Sequence, residues 1–307
     1  MPDLSRILVG LCLDDTDDAT LASCSAVAAR LGANHVTLLH AVQRTRAMED
    51  AEVDALFTER QVLAEQRAKT AQAVLGASVV LEERVSVGRP AKTMLRAAHD
   101  ERFGLIVMGR STYGSGSRLG TDAGAVVRKA PCSVLTVPHD WERGIDTVLV
   151  PVDFSDRCAD AVQVALRLLR GSERPRLRIT HIYEVHSAYG RTGKSPIEAD
   201  AHYRALAQER WTTFAQRFDF AGLEVEVRLV GSSSSHIANN HHAREMIGLI
   251  EACDPDMVVL SSQGRSDVAG LLLGSMAARL VADTARPLLI LRQSGDHVGL
   301  VQALLRI

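Results

Sequence analysis

The sequence is poor in aromatic residues, has no large excess of either charge and contains no long apolar run. Aromatic residues make up only 4% of the chain, whereas hydrophobic residues together make up 46% and charged residues 23%. A disordered chain has fewer hydrophobic residues, so this composition indicates a globular protein, and 307 residues suffice for two domains. The net charge of −2 gives no electrostatic reason to expect nucleic-acid binding.

The sequence also lacks membrane, secretion and disulfide signals. Every apolar run is shorter than the roughly 18 residues that a membrane helix requires. The early run at residues 7–13 is followed by acidic residues, whereas a secretory signal has basic residues before its apolar core. Its five cysteines are scattered and form no C-x-x-C pair, which is typical of buried thiols in a reducing compartment. We therefore predict a cytoplasmic protein with no membrane or nucleic-acid partner.

The chain repeats itself at about half its length. Residues 6–11 (RILVGL) resemble residues 147–152 (TVLVPV), and residues 104–109 (GLIVMG) resemble residues 256–261 (DMVVLS). Other matches follow in the same order, so the economical interpretation is two copies of one domain.

We place the first domain at residues 1–140 and the second at residues 146–293, with a short polar join between them. Residues 294–307 form a C-terminal tail, whose apolar residues either pack on a domain or fray.

Each half alternates five strands with four helices. The strands are nearly continuous Val/Ile/Leu runs, as expected for a parallel sheet covered by helices on both faces. Helix 156–170 has a clear apolar face, and Ser155 is placed to cap it. The predicted fold class is α/β: two tandem open five-stranded parallel sheets, Rossmann-like, with helices on both faces.

Residues suited to ligand binding concentrate in the second half. Asp153 ends the first strand there, just before a helix. Farther on, Ser261 and Ser262 end the fourth strand, and a glycine-containing loop then leads to a helix that begins at Gly274 and Ser275. Glycine lets the backbone approach a ligand closely, and free N–H groups at a helix N-terminus bind anions such as phosphate. If the first and fourth strands are neighbours where the strand order reverses, Asp153 and this loop flank one crevice.

These features resemble the universal stress protein family in its tandem form. The sequence PVDFS (151–155) is similar to the family's first strand end, and GRSDVAGLLLGSMA (264–277) is similar to its ATP loop, with nine residues between Gly264 and Gly274. The resemblance implies an adenine nucleotide alpha hydrolase-like fold with ATP, and with it Mg²⁺, bound in the second domain. The implied contacts are Pro151, Val152, Asp153, Ile182, Ser261, Ser262, Gly264, Gly274, Ser275 and Met276. One departure is Ser261, which stands in place of the first loop glycine.

The first half departs further from the family pattern. Cys12 stands where the family has aspartate, and Thr112 replaces a loop glycine. The span from Gly109 to Pro131 is four residues shorter than its counterpart in the second half. We assign these four missing residues to the loop that should wrap the phosphates. We expect this half not to bind ATP in the family's manner; it either acts as the packing partner in an intramolecular pseudo-dimer or holds a different ligand. Two chains pairing as a homodimer is also compatible with the sequence.

The resemblance implies a regulatory or protective role in the stress response, and two alternatives stay open. One is a slow ATPase or phosphotransferase at the same crevice. The other is a nucleotide-free scaffold or a binder of apolar ligands, which the degenerate first half favours. No local signature of a Ser/His/Asp or Cys/His catalytic set occurs. Asp153 alone does not define a hydrolase, and capping of the following helix is its simplest other role.

Several motifs resemble binding or catalytic sites but are better explained as structural features. Residues 188–195 (AYGRTGKS) resemble a P-loop, but Pro196 disfavours the helical geometry that Ser195 would need there. Residues 114–120 (GSGSRLG) have one residue too many for a dinucleotide fingerprint. His236, His241 and His242 are interpreted as a solvated loop rather than a zinc site. His40 and His181, at matching positions, are interpreted as histidines with hydrogen-bonded rings.

Overall fold

The structure is a computed structural model, and it describes residues 2–110, 120–185, 195–233, 241–262 and 274–293. Strands and helices alternate within each half, as the sequence predicts. The strands are β1 (Arg6–Leu11), β2 (His35–Val42), β3 (Val80–Val87), β4 (Leu105–Arg110), β5 (Ser133–Pro138), β6 (Thr147–Pro151), β7 (Arg176–Val185), β8 (Glu224–Ser233), β9 (Met257–Ser261) and β10 (Leu288–Leu291). The helices are α1 (Asp17–Leu31), α2 (Asp50–Leu75), α3 (Pro90–Asp100), α4 (Thr121–Lys129), α5 (Asp156–Leu168), α6 (Pro196–Ala215), α7 (His241–Cys253) and α8 (Ser275–Asp283).

The strands form one ten-stranded sheet in the order β3-β2-β1-β4-β5-β10-β9-β6-β7-β8. Within each half the five strands are parallel, which confirms the predicted fold class. The sequence did not reveal that the halves join edge to edge: β5 and β10 pair antiparallel, with Leu289 opposite Leu135. The strands of the second half therefore run in the opposite direction to those of the first. Their carboxyl ends lie on the same side of the sheet as the amino ends of the first half's strands.

Helices cover both faces of the sheet, and this explains the continuous apolar strands. In β1, Ile7 and Val9 belong to one core cluster and Leu8 to the other, and all three are 0% exposed. The first core cluster contains buried residues of α1, α2, α5 and α6, and the second contains those of α3, α4, α7 and α8. Each cluster draws on both halves, so the halves share a continuous core. No helix in the described ranges is long and apolar enough to cross a bilayer.

Two buried arginines tie the halves together in a reciprocal manner. Arg110, at the end of β4, donates to the carbonyl of Val281 in the last turn of α8 (3.2 Å) and to that of Arg286 just after this helix (2.9 Å). Arg292, just after β10, donates to the carbonyls of Val127 (2.5 Å) and Ala130 (3.1 Å) at the C-terminal end of α4. Each guanidinium therefore meets the negative end of a helix dipole that belongs to the other half.

Candidate functional site

The candidate site lies where the strand order of the second half reverses. The strand β6 pairs with β7 on one side and β9 on the other, so the first and fourth strands are neighbours, as expected from the sequence. The helix α5, after β6, packs in the first core cluster, and α8, after β9, packs in the second. The two connections therefore diverge to opposite faces and leave a crevice at the carboxyl ends of β6 and β9.

The end of β6 is pinned to its neighbour β7. Pro151 is the last residue of the strand, and the N–H of Val152 donates to the carbonyl of Thr180 (2.8 Å). The Nδ1 atom of His181 lies 2.7 Å from the carbonyl oxygen of Val152. A carbonyl oxygen only accepts, so Nδ1 carries the hydrogen. His40 makes the same contact with Leu11 in the first half, at 2.9 Å, which confirms the hydrogen-bonded rings expected at both positions.

Asp153 sits in the turn between β6 and α5. Its Oδ1 atom accepts from the N–H of Ser155 (2.9 Å) and from the thiol of Cys158 (2.9 Å). Ser155 is the N-cap of α5, as predicted, and its hydroxyl accepts from the N–H of Cys158 (3.3 Å). Phe154 has a left-handed φ of 63°, which turns the chain sharply after Asp153. The capping role thus falls to Ser155, and the carboxylate of Asp153 is held at the crevice, partly exposed.

Cys158 is a site residue that the sequence analysis treated only as one of five scattered thiols. Burial, followed by the negative charge of Asp153, raises the pKa of the Cys158 thiol to about 12. The thiol therefore stays protonated at neutral pH and acts as a donor to Asp153. Its Sγ atom also lies 4.0 Å from Oγ of Ser261, which joins the ends of β6 and β9. The available signal was its position in the first turn of the helix that follows Asp153.

The base of the loop after β9 is closed by main-chain hydrogen bonds. The N–H of Ser262 donates to the carbonyl of Leu291, and the carbonyl of Ser262 accepts from the N–H of Gly274, both at 2.9 Å. Gly274 is the N-cap of α8, with φ −53° and ψ 149°, so the helix begins directly beside the end of β9. Gly264 lies outside the described residues, and for Ser275 only the backbone is described.

These residues fit a bound anion. The N–H groups in the first turn of α8 have no acceptors within the helix, which is the general property of a helix N-terminus. The hydroxyl of Ser262 is buried, at 1% exposure of the residue, and has no hydrogen-bond partner among the described residues. Ile182 and Met276 are both partly buried and pack against the second core cluster, on the face to which α8 runs.

The first half keeps the backbone of this site but not its side chains. Leu13 has the same left-handed φ of 63° as Phe154. Cys12 occupies the position of Asp153, and Asp17 occupies that of Cys158. Asp17 is buried, and its carboxylate accepts from the N–H groups of Cys12 (2.9 Å) and Leu13 (2.8 Å). Burial is the main cause that raises the pKa of Asp17.

The structure corrects the assignment of the four missing residues to the loop of the first half. Gly120 is the N-cap of α4 with φ −57° and ψ 159°, as Gly274 is of α8, and both helices have nine residues. Only part of the deficit therefore lies before the helix, and the rest lies between the helix and Pro131. The connection between the helix and the following proline is therefore also shorter in the first half than in the second.

Of the motifs set aside in the sequence, the structure describes Ser195, His241 and His242. It corrects one interpretation, because His241 and His242 are the first residues of α7 and do not lie in a loop. Ser195 has extended backbone (φ −71°, ψ 159°) and caps α6, so its hydroxyl is not on a P-loop helix. Nε2 of His241 pairs with Glu245 at 3.1 Å, and His242 lies 3.8 Å from Glu184. His236 and residues 111–119 lie outside the described residues. Among the described residues, the cluster with metal-ligand spacing is Cys12, Asp14 and Asp17, not the histidines.

The described residues also form an open groove away from the crevice. This groove, of about 550 Å³, lies at the opposite ends of the strands from the crevice. It is lined by the C-terminal end of α5 and the connection before β8, including Arg170, Phe218 and Leu223. Its position at the amino ends of β7 and β8 is not the ligand-binding edge of a parallel sheet. The ends of β6 and β9 therefore remain the candidate site.

Known proteins resemble this chain in both sequence and architecture. A sequence profile described as the universal stress protein family matches residues 4–138 and 144–292. A universal stress protein from Archaeoglobus fulgidus DSM 4304 has a similar structure, with a TM-score of 0.66 and 17% identity over 95% of this chain and 97% of that one. A protein from Pseudomonas aeruginosa UCBPP-PA14, described as a putative universal stress protein, gives 0.60 and 16% over 99% and 98%. No curated protein sequence matches this chain.

Proposed function

Because the chain belongs to the universal stress protein family, in two tandem copies, we propose that it binds ATP at the ends of β6 and β9 in its second half. In this proposal Asp153 accepts hydrogen bonds from the nucleoside, Ile182 and Met276 contact the adenine side, and the start of α8 holds the phosphates. Ser261, Ser262, Gly264, Gly274 and Ser275 form the phosphate loop, and Pro151 and Val152 form the floor.

One observation carries the proposal. The N–H of Gly274 is bonded to the carbonyl of Ser262, which fixes the N-terminus of α8 against the end of β9. The next strand, β6, delivers the carboxylate of Asp153 to the same crevice. A polyanion with a hydroxylated sugar needs such a pair: N–H donors for the phosphates and an acceptor for the sugar hydroxyls. Mg²⁺ would be held mainly by the phosphates, since no further carboxylate is assigned to it.

The two halves would then divide their roles. We propose that residues 1–140 serve as a packing partner and residues 146–293 as the nucleotide domain, so that one chain forms an intramolecular pseudo-dimer through β5 and β10. A homodimer of chains is a further proposal that builds on the same symmetry. Occupancy by nucleotide would regulate contacts made under stress, in a reducing, cytoplasmic setting where the five cysteines stay free.

Isothermal titration with ATP and Mg²⁺ tests the proposal. We expect saturable binding, and we expect Gly274→Val to abolish it, because the added side chain fills the space next to the phosphates. The backbone of Gly274 at φ −53° accepts any L-residue, so the fold should persist. The matched control is Gly120→Val, the same change at the N-cap of α4, which should leave affinity unchanged. Absence of saturable heat in the parent chain would contradict the proposal.

The same preparation distinguishes binding from slow hydrolysis. ADP formation above that of an Asp153→Ala, Gly274→Val double variant would support an ATPase. We expect no excess, because water is the nucleophile in hydrolysis and needs a base, and Oδ1 of Asp153 already accepts hydrogen bonds from Ser155 and Cys158.

A further inference from the structure

The two halves present the same local backbone with two side chains exchanged. In both halves the first strand is followed by a left-handed residue, Leu13 or Phe154, at φ 63°. In both, a histidine ring on the second strand donates to the main chain at the end of the first strand. Because the backbone is shared, differences at the equivalent positions come from the side chains.

At these positions a carboxylate and a thiol change places. In the second half Asp153 follows the strand and Cys158 lies on the helix, whereas in the first half Cys12 follows the strand and Asp17 lies on the helix. The thiol of Cys158 donates to Oδ1 of Asp153 (2.9 Å), and its sulfur accepts from the N–H of Asp153 (3.4 Å). The side chain on the helix therefore closes the turn in both halves, but by different chemistry.

The exchange moves the carboxylate from the helix side of the turn to the strand side. Asp17 is 2% exposed, and each of its two oxygens accepts from one main-chain N–H, from Cys12 and from Leu13. Its carboxylate is committed to the turn. The second half closes the same turn with the neutral thiol of Cys158, which leaves the carboxylate of Asp153 on the strand side, partly exposed at the crevice.

We propose that this exchange selects the half that binds nucleotide, with Cys158 as the residue that positions Asp153. The inference rests on the proposed function of the second half and adds a reason why the first half does not bind nucleotide. Loss of the glycine at the helix N-terminus does not explain this difference in binding, because Gly120 caps α4 as Gly274 caps α8. Besides its shorter loop, the first half lacks a carboxylate that faces the ligand at this turn.

The test is the exchange itself. The double variant Asp153→Cys, Cys158→Asp installs in the second half the pair around which the first half already folds. We expect it to keep the urea midpoint of the parent within experimental error and to bind ATP at least about tenfold more weakly, as for a lost hydrogen bond to a charged group. The matched control is Cys12→Asp, Asp17→Cys, which should leave the affinity of the second half unchanged.

Single variants separate positioning from packing. Cys158→Val keeps the volume of the side chain but removes the donor, and we expect about tenfold weaker binding. Cys158→Ser keeps a donor, and we expect binding within about threefold of the parent. An exchange variant that binds like the parent, or a serine variant as weak as the valine variant, would overturn the inference. A parent chain that does not bind ATP would instead overturn the proposed function.

Discussion

The substitution Gly104→Ala should destabilise the fold through a backbone clash. A Cβ atom at Gly104 would lie 1.7 Å from the carbonyl oxygen of Asp3 and 2.7 Å from its carbonyl carbon. No rotamer change relieves a contact with backbone atoms, so the segment before β1 must move. Leu4, which is 3% exposed, moves with it. Loss of its burial gives an expected cost of about 2–3 kcal/mol.

A second glycine provides the opposite expectation for the same chemical change. Gly248 is exposed in the interior of α7, and a Cβ there meets no atom within 4 Å. Gly248→Ala should therefore stabilise the chain by about 1 kcal/mol, the difference in helix propensity. Urea unfolding followed by circular dichroism measures both midpoints. A Gly104→Ala midpoint equal to that of the parent, or shifts of both variants in one direction, would refute the reasoning.

The Gly104 substitution also has a functional consequence. The amino ends of the first half's strands lie at the same edge as the carboxyl ends of the second half's strands. Pro2 accordingly lines the same small cleft as Ser261 and Ser262. Displacing the segment that contains Pro2 should weaken ATP binding in Gly104→Ala, whereas Gly248→Ala should not change it. Titration with ATP at a temperature where both variants remain folded checks this.

Other predictions concern thiols and the joint between the halves. Burial raises the pKa values of Cys24, Cys132 and Cys158 to about 12, so these thiols should react with a disulfide reagent at pH 8 only after unfolding. Cys12 is an exposed residue, but desolvation of its thiol and the charges of Asp17 and Asp14 raise the pKa of that thiol. It should therefore label more slowly than free cysteine, and below that pKa the labelling rate should rise about tenfold with each pH unit. Rapid labelling at pH 7 would contradict this. Arg110→Met should lower the free energy of unfolding by about 2 kcal/mol, because the carbonyls of Val281 and Arg286 lose their donor, the first in a buried and the second in a partly buried hydrogen bond, while the desolvation of the guanidinium is relieved. An unchanged urea midpoint would show that desolvation cancels these bonds.

The alternation of strands and helices was predictable because the local pattern and the tertiary environment agree. Strands such as β1 are buried on both faces and therefore read as continuous apolar runs. The cap at Ser155 and the extended backbone of Ser195 before Pro196 follow from local backbone chemistry, so the sequence predicts both. The crevice between β6 and β9 follows from the strand order that this alternation favours.

The joint between the halves and the partner of Asp153 were not predictable. Strands β5 and β10 would be apolar whether or not they paired with each other, so no residue pattern marks their antiparallel contact. Arg110 and Arg292 are buried only because each meets a helix end of the other half. The bond between Cys158 and Asp153 depends on the left-handed turn at Phe154, a conformation that this residue type does not suggest.

A crystal structure of the chain grown with ATP and Mg²⁺ tests the central claim most directly. The account predicts one nucleotide per chain, with its phosphates at the N-terminus of α8 and its sugar beside Asp153. Nucleotide at the ends of β1 and β4, beside Cys12, or an ATP-saturated crystal with both crevices vacant, would contradict it.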